Sequence, residues 1–391
     1  MQSETRQSGL DGFRGLAALT VFAIHIWIYQ LPNTVKLQRD GIGELALFEG
    51  RVAFVMFFVL SGYLLYRPFA RAALGAGRRV SVKAYFLRRA ARIMPAYYLA
   101  MLGTLALISA AGDVPGRRTV AAGELPLFFG FAQNYSPDTL LKLNAATWTL
   151  TIEVAFYLML PVIGTLALWR CRSSVRGQVV LLASLVVAGI GWNVIDYAAN
   201  WGPVAAHAAP SFLPYFACGM LVALLVERRR ALGAGALSTR ASLLLSSSAL
   251  LVLLLNGVWH ASDRSPGGFV EEAVADLPAA VAFAMLVGAL VLGSGTGLRW
   301  LGFRPLAWFG QISYGFYLWH IPLIVWARGH GLLASGAPVD VAVVFPVALA
   351  LGAASWYLVE RPLMAKAADH SRSRSRYLSQ ARTIAFANPR P

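Results

Sequence analysis

Residues 10–29 read Leu-Asp-Gly-Phe-Arg-Gly-Leu-Ala-Ala-Leu-Thr-Val-Phe-Ala-Ile-His-Ile-Trp-Ile-Tyr and decide the fold. A helix needs about 20 predominantly apolar residues to cross the hydrocarbon core of a bilayer. Asp11, Arg14 and His25 are the only acidic or basic residues in this stretch. Arg14 and His25 lie inside the predicted span, where ionisable groups are costly, so each is a candidate for function. The stretch predicts a membrane-spanning helix that carries chemistry.

The composition of the whole chain agrees with this reading. Of its 391 residues 58% are hydrophobic and 13% are charged, whereas soluble domains carry about 25% charged residues. Its two cysteines cannot form a disulfide framework. The net charge of +16 lies in short clusters between apolar stretches, which is typical of cytoplasmic loops rather than of a nucleic-acid surface. The predicted fold class is an all-α polytopic membrane protein.

About ten apolar stretches are long enough to span a bilayer. They lie at 12–31, 51–70, 92–111, 148–169, 177–198, 211–227, 241–259, 274–293, 306–327 and 338–359. A further apolar segment from Glu124 to Tyr135 is too short to span, so we expect it to be re-entrant or interfacial. The first stretch lacks a small-residue cleavage site and is expected to be a retained helix rather than a signal peptide.

The positive charges predict the orientation. With ten spans and a cytoplasmic N-terminus, 26 of the 34 Lys and Arg residues fall on the inner side, as the positive-inside rule requires. Both termini are then cytoplasmic, and the protein is a multi-pass protein of the plasma membrane. Counting 124–135 as a span would move the cluster Arg228–Arg230 outside. Residues 1–365 form the predicted membrane domain, and 366–391 form a basic, disordered tail near anionic lipid.

Three titratable side chains are predicted to lie at a similar depth. Glu153, His320 and His25 each fall about 8–10 Å below the outer boundary of their helices. Arg14 shares a helical face with His25, about 16 Å away along the axis. More ordinary interpretations remain for some of them. His320 could be a packing residue, Glu153 a structural hydrogen-bond partner, and the aromatic residues of this layer an interfacial belt.

The predicted loop after the second span, from Arg67 to Arg92, holds seven Arg, one Lys and no acid. Within it, Arg88 or Arg89 shares a helical face with Arg92, since residues three or four apart are neighbours on a helix. Two guanidinium groups on one face of a helix can together bind a phosphate or pyrophosphate group. The alternative is plain topological anchoring. The sequence contains no nucleotide-binding loop, zinc-site spacing or nucleophile elbow, so no metal is expected.

Six motifs in order along the chain are similar to those of the acyltransferase-3 family of integral membrane O-acyltransferases. They are Leu10–Gly15 with His25, Phe57–Tyr63, Arg88–Tyr97, Trp148–Tyr157, Ile312–His320 and Glu360–Pro362. Two features depart from the family pattern. Val154 stands where a second acid often follows the first, and the chain ends in a basic tail instead of a fused periplasmic domain.

The resemblance implies transfer of an acyl group, acetyl in most members, from cytoplasmic acyl-CoA to a hydroxyl of a sugar-containing acceptor. It implies His25, Arg14 and Glu153 as catalytic residues, with His25 as general base or, alternatively, as the group that accepts the acyl chain. The CoA phosphates would bind Arg88, Arg89 and Arg92. Glu153 or His320 would orient the imidazole of His25 or bind the acceptor from the outer side. The remaining acceptor-side candidates are Tyr157, Trp148 and Asn134.

Two other functions remain open. Arg14, His25 and Glu153 could form the proton relay of a lipid or glycan transporter, although the broken helices and symmetric halves typical of transporters are not visible. A non-catalytic membrane scaffold would leave the shared face of Arg14 and His25 unexplained. The acceptor itself, whether exopolysaccharide, peptidoglycan, glycolipid or a glycosylated antibiotic, is not predicted.

Overall fold

The computed structural model describes residues 2–30, 49–77, 79–110, 120–172, 174–261, 269–293, 297–333 and 337–370. Within these ranges the chain is helical and forms no β-strand; one isolated bridge joins Leu237 to Gly293. The predicted all-α membrane fold is confirmed. Most of the predicted disordered tail, from residue 371 onward, lies outside the described residues.

The α-helices are numbered in chain order within the described ranges. Their bounds are α1 Gln2–Gln30, α2 Ala53–Ala73, α3 Val82–Ala110, α4 Leu125–Phe129, α5 Trp148–Arg170, α6 Val175–Ala199, α7 Pro203–Ala206, α8 Leu213–Ala231, α9 Thr239–Ala261, α10 Phe269–Val274, α11 Leu277–Leu292, α12 Arg304–Gly329 and α13 Ala337–Ala354. A π-helical turn at Ser355–Glu360 extends α13.

Eight helices of the described chain are long and apolar enough to cross a membrane. They cover Gln7–Tyr29, Gly50–Ala73, Val82–Ala110, Ala145–Arg170, Val175–Ala199, Ala209–Ala231, Thr239–His260 and Pro338–His370. The other two predicted spans are also helices. α11 has 16 residues, and α12 has 26, long enough for a bilayer core of about 30 Å but interrupted by polar side chains.

The short segment between α3 and α5 folds against the middle of α3. The hydroxyl groups of Tyr97 and Tyr98 donate to the carbonyl oxygens of Phe128 and Phe129, at 2.7 and 3.2 Å. Phe131 stacks on Tyr97 with ring centroids 4.2 Å apart. Since α4 has only five residues, the segment does not span. Its position against the middle of a membrane helix favours the re-entrant interpretation.

The basic clusters that the sequence places on the inner side meet at one end of the bundle. Arg67 and Arg230 both bind Glu227, at 2.9 and 3.0 Å, and Arg79 and Arg172 line one common pocket. At the opposite end, Arg51 binds Asp276 at 2.9 Å. The helix directions therefore agree with the ten-span topology. Which membrane face each end meets stays a prediction.

Helices α1 and α12 run in parallel and approach each other closely. A Cβ atom on Gly12 would lie 1.7 Å from the carbonyl oxygen of Leu301, and one on Gly310 would lie 1.7 Å from that of Asp11. No side chain larger than hydrogen fits at either point, as in the small-residue contacts of membrane helices. Because the backbones touch here, side chains further along the two helices can meet.

Candidate active site

The closest functional contact between α1 and α12 joins two histidines. His25 Nδ1 lies 2.8 Å from His320 Nε2, and the ring centroids are 4.9 Å apart. His320 is buried, with 1% of its surface exposed, whereas His25 is only partly buried. The sequence placed both residues at one depth, and the structure brings them into direct contact.

The hydrogen bonds of this pair define which nitrogen carries each proton. His320 Nδ1 lies 2.6 Å from the carbonyl oxygen of Tyr317, and a carbonyl can only accept, so this nitrogen must carry hydrogen. In a neutral imidazole the other nitrogen is then an acceptor, so His320 Nε2 accepts a hydrogen bond from the N–H of His25 Nδ1. The neutral His25 is left with a lone pair on Nε2. That nitrogen has the electronic state of a general base.

A cavity of about 340 Å³ lies beside the histidine pair and is enclosed by α1, α2, α3, α5 and α12. Its lining residues are Arg14, Phe54, Phe57, Phe58, Ser61, Leu64, Leu65, Arg89, Arg92, Ile93, Thr149, Leu150, Glu153, Tyr157, Ser313, Tyr314 and Tyr317. Neither histidine lines this cavity. The walls are mostly aromatic and aliphatic, with a few polar groups that converge, which is the usual make-up of a ligand site.

Glu153 is the single acid among the residues that line the cavity. Its Oε1 accepts hydrogen bonds from the hydroxyl groups of Ser61 on α2 and Tyr157 on α5, both at 2.5 Å. Within the described residues no hydrogen bond joins Glu153 to either histidine. Of the two groups that the sequence offered to orient His25, His320 therefore makes the contact and Glu153 does not.

Three arginines face the same cavity from two helices. Arg14 is largely buried and lies 3.3 Å from Asp11 on its own helix. Arg89 and Arg92 are partly buried on α3, which begins at Val82, ten residues before the predicted span. They therefore project from a membrane helix and not from a loop. Arg88 is exposed and does not line the cavity.

Tyr317 connects the two parts of the site. Its carbonyl oxygen binds His320, while its side chain lines the cavity. Its hydroxyl lies 2.8 Å from Thr149 Oγ1 and donates to the carbonyl oxygen of Ala146 at 2.8 Å. The histidine pair therefore lies one helical turn beyond the wall of the cavity, on the side of Thr149 and Tyr317.

Two of the acceptor-side candidates lie behind the cavity wall. Asn134 is buried, and its Nδ2 donates to the carbonyl oxygens of Trp148 and His207 at 2.9 and 3.1 Å. The Trp148 ring packs edge-on against Phe54 and His207. The structure does not bring either residue to the cavity surface, whereas Tyr157 does line it.

Sequence reasoning gave no role to Ser61 or Tyr317. Ser61 lies in the quoted Phe57–Tyr63 motif and is a polar residue within a membrane span, a signal that could have marked it. Tyr317 looked like an ordinary aromatic of a membrane helix. Within the described part of the chain, no group of three or more His, Cys, Asp or Glu residues could hold a metal ion.

The chain matches the model of the acyltransferase-3 family, described as an acyltransferase domain, over residues 7–359. It is 28% identical to the acyltransferase MdmB of Streptomyces mycarofaciens over 84% of this chain and 81% of that protein. It is 28% identical to nodulation protein 10 of Rhizobium leguminosarum bv. viciae over 93% of this chain and 94% of that protein.

A third relative is longer. The chain is 25% identical to the putative peptidoglycan O-acetyltransferase YrhL of Bacillus subtilis over 91% of its own length, but it covers only 54% of that protein. No solved structure matches the chain.

Proposed function

Because the chain belongs to the acyltransferase-3 family, we propose that it moves an acyl group from acyl-CoA to a hydroxyl of a sugar-containing acceptor. The observation that carries the proposal is the hydrogen-bonded pair His25–His320 beside a cavity lined by three arginines. The pair supplies a base, and the arginines supply a site for an anionic donor. Acetyl is the expected acyl group.

The donor would be held by the arginines. Arg89 and Arg92 lie one turn apart on α3, and guanidinium groups bind phosphate oxygens in bidentate fashion. The cavity volume of about 340 Å³ is at the small end of the range for ligand sites, roughly 300–1,000 Å³. It suits the narrow pantetheine arm of CoA better than the nucleotide. The arm would run between the aromatic walls past Arg14, with the thioester toward Tyr317 and the histidine pair.

The proposed reaction is a single acyl transfer. His25 Nε2 takes the proton of the acceptor hydroxyl while the hydroxyl oxygen attacks the thioester carbonyl carbon. The carbon–sulfur bond then breaks, the ester is released, and the CoA sulfur receives the proton from His25. His320 keeps the His25 ring oriented through the Nδ1–Nε2 hydrogen bond. An acyl-histidine intermediate would use the same nitrogen.

Glu153 would act from within the cavity. Its carboxylate is the only negative charge among the described lining residues and faces the positive charges of Arg14, Arg89 and Arg92. Its bonds to Ser61 and Tyr157 hold the two hydroxyl groups toward it. We propose that Glu153 keeps these polar groups in place around the donor arm and balances part of the arginine charge.

The test is acyl transfer by the purified protein in lipid nanodiscs with acetyl-CoA labelled in the acetyl group. Release of free CoA thiol should depend on an acceptor, and label should appear in the acceptor as an ester. A transporter would release no thiol with any acceptor. The panel should include muropeptides, glycolipids and glycosylated macrolides. Mass spectrometry of surface glycans and exported metabolites from cells lacking the gene would identify the natural acceptor.

A matched control lies directly after the helix that carries His320. His330 caps the end of α12, and its Nδ1 also bonds to a carbonyl oxygen of the preceding turn, that of Trp326 at 2.9 Å. It is exposed and distant from the cavity lining. His330→Ala should retain full transfer activity. A loss of activity in the His25 or His320 variants would then be specific to those two positions and not a general effect of removing a histidine.

A further inference from the structure

The basic end of the bundle contains another pocket, which shares the lining residue Leu64 with the cavity of the candidate site. It has a volume of about 640 Å³ and lies at the inner end of α2, between Leu64, Arg67, Arg71, Gly77 and Glu227. Leu64 lines both spaces. A ligand that extends out of the cavity along α2 can therefore reach this pocket next.

The Arg71 side chain is held through its Nε atom, and its two terminal amino groups remain available to bind a ligand. Its Nε donates to the carbonyl oxygen of Ala76 at 3.1 Å, and the Ala76 N–H donates back to the Arg71 carbonyl oxygen at 3.1 Å. The backbone bond closes the turn that follows α2, and the Nε bond holds the exposed Arg71 side chain against that turn. Within the described residues, neither terminal amino group of Arg71 has a protein partner. A fixed guanidinium with free donors is suited to binding a phosphate.

The rest of the pocket keeps a positive balance. Glu227 is 4% exposed, and its Oε1 accepts from Arg67 at 3.0 Å and from Arg230 at 3.0 Å. Of the charged residues that line the pocket, Arg67 and Arg71 are positive and Glu227 is negative, so one positive charge remains uncompensated. Arg230 binds the same carboxylate from outside the lining. Helix anchoring at the membrane surface would not require a pocket of this size or a pinned arginine.

We infer that this pocket binds the 3′-phosphorylated adenosine of the acyl-CoA donor, with Arg71 on the 3′-phosphate. The inference rests on the proposed function and divides the donor between two sites. The cavity takes the pantetheine arm, Arg89 and Arg92 take the pyrophosphate, and the inner pocket takes the nucleoside with its extra phosphate.

The test compares two donors that differ only in the 3′-phosphate, acetyl-CoA and acetyl-dephospho-CoA. In wild type the KM for acetyl-dephospho-CoA should exceed that for acetyl-CoA by about tenfold to a hundredfold, the worth of one charge-assisted contact. Arg71→Ala should raise the KM for acetyl-CoA by the same factor and leave the KM for acetyl-dephospho-CoA within about twofold of wild type, since a single such contact is lost. Equal KM values for the two donors in wild type would overturn the inference, as would an equal rise for both in the variant.

Arg170→Ala is the matched control for bulk charge. Arg170 lies at the same end of the bundle, where it stacks on Trp169 at 4.6 Å, and it does not line the pocket. This variant should discriminate between the two donors as wild type does. A loss of discrimination in Arg170→Ala would show that surface potential and not the pocket reads the 3′-phosphate.

Two binding measurements distinguish the donor nucleotide from a lipid headgroup in this pocket. If the wild-type protein uses no CoA donor at all, the proposed function fails. Calorimetric binding of adenosine 3′,5′-bisphosphate still tests the pocket in that case. Wild type should bind this compound, and Arg71→Ala should bind it more weakly. Nanodiscs with and without phosphatidylglycerol test a lipid headgroup as the phosphate source. If anionic lipid abolishes bisphosphate binding to wild type, the pocket holds a lipid and the inference is wrong.

Discussion

The histidine pair and the arginine-lined cavity are held by different means. The pair is fixed by two hydrogen bonds, of 2.8 and 2.6 Å, and by close backbone packing of α1. This helix touches the 3₁₀ turn before α12 at Gly12 and α12 itself at Gly310. Arg89 and Arg92 are only partly buried, and within the described residues no hydrogen bond holds their guanidinium groups. The hydrogen bonds of the histidine pair therefore define where its protons lie, whereas the arginines of the cavity keep charged hydrogen-bond donors available for a ligand.

The largest expected effect is at the histidine pair. His25→Ala should lower kcat by about 10²–10⁴-fold, because a general base typically contributes that much, while the KM for acetyl-CoA stays near the wild-type value. The measurement is steady-state transfer by purified protein, with His330→Ala as control. If His25→Ala keeps more than about a tenth of the activity, His25 is not the general base. The histidine pair would then not be the catalytic part of the site.

A smaller loss is expected when the partner histidine is removed. His320→Ala leaves His25 Nδ1–H without its acceptor, and an unpaired buried donor costs about 1–3 kcal/mol. We expect kcat to fall by roughly tenfold to a hundredfold with little change in KM. His320→Gln, whose amide oxygen can accept the same hydrogen bond, should recover part of the rate. If His320→Ala and His320→Gln are equally active, the hydrogen bond that His320 accepts does not contribute to the rate, and His320 is a packing residue.

The cavity should respond in KM instead of kcat. Arg89→Ala and Arg92→Ala each remove a charge-assisted phosphate contact worth about 1.5–3 kcal/mol, so the KM for acetyl-CoA should rise about tenfold or more per substitution. Arg88→Ala should have a smaller effect, because Arg88 is exposed and outside the cavity lining. If the KM for acetyl-CoA is unchanged in the double variant at Arg89 and Arg92, these arginines do not bind the donor and serve only to anchor the helix in the membrane.

The smallest effect on rate is expected from cysteines that report the orientation. In a background lacking Cys171 and Cys218, cysteine can replace Asp138 near the re-entrant segment or Arg228 at the end of α8; both positions are exposed. Under the ten-span topology, an impermeant thiol reagent outside intact cells should label position 138 and spare position 228. The reverse pattern would place the arginine-lined end of the bundle outside the cell and contradict donor binding from the cytoplasm.

Much of the fold was accessible from the sequence because membrane insertion depends on local properties. Length and apolar content predicted the spans, and the short segment around Phe128 was correctly kept out of them. The third predicted span began at residue 92, ten residues after α3 begins, because Arg88 and Arg89 are typical of a cytoplasmic loop. The charges of Arg89 and Arg92 are accommodated by a polar cavity that also holds Glu153, a compensation that hydropathy cannot register.

The sequence by itself determined the helical membrane class and picked out His25, Arg14, Glu153 and His320 as side chains that do not belong in lipid. Only the tertiary structure decided their partners: His25 pairs with His320, Glu153 pairs with Ser61 and Tyr157, and Asn134 and Trp148 lie behind the wall. Depth along a helix follows from residue number, at about 1.5 Å per residue. Contact across helices depends on rotation and separation, which here are determined by backbone packing at Gly12 and Gly310 between segments nearly 300 residues apart in the chain.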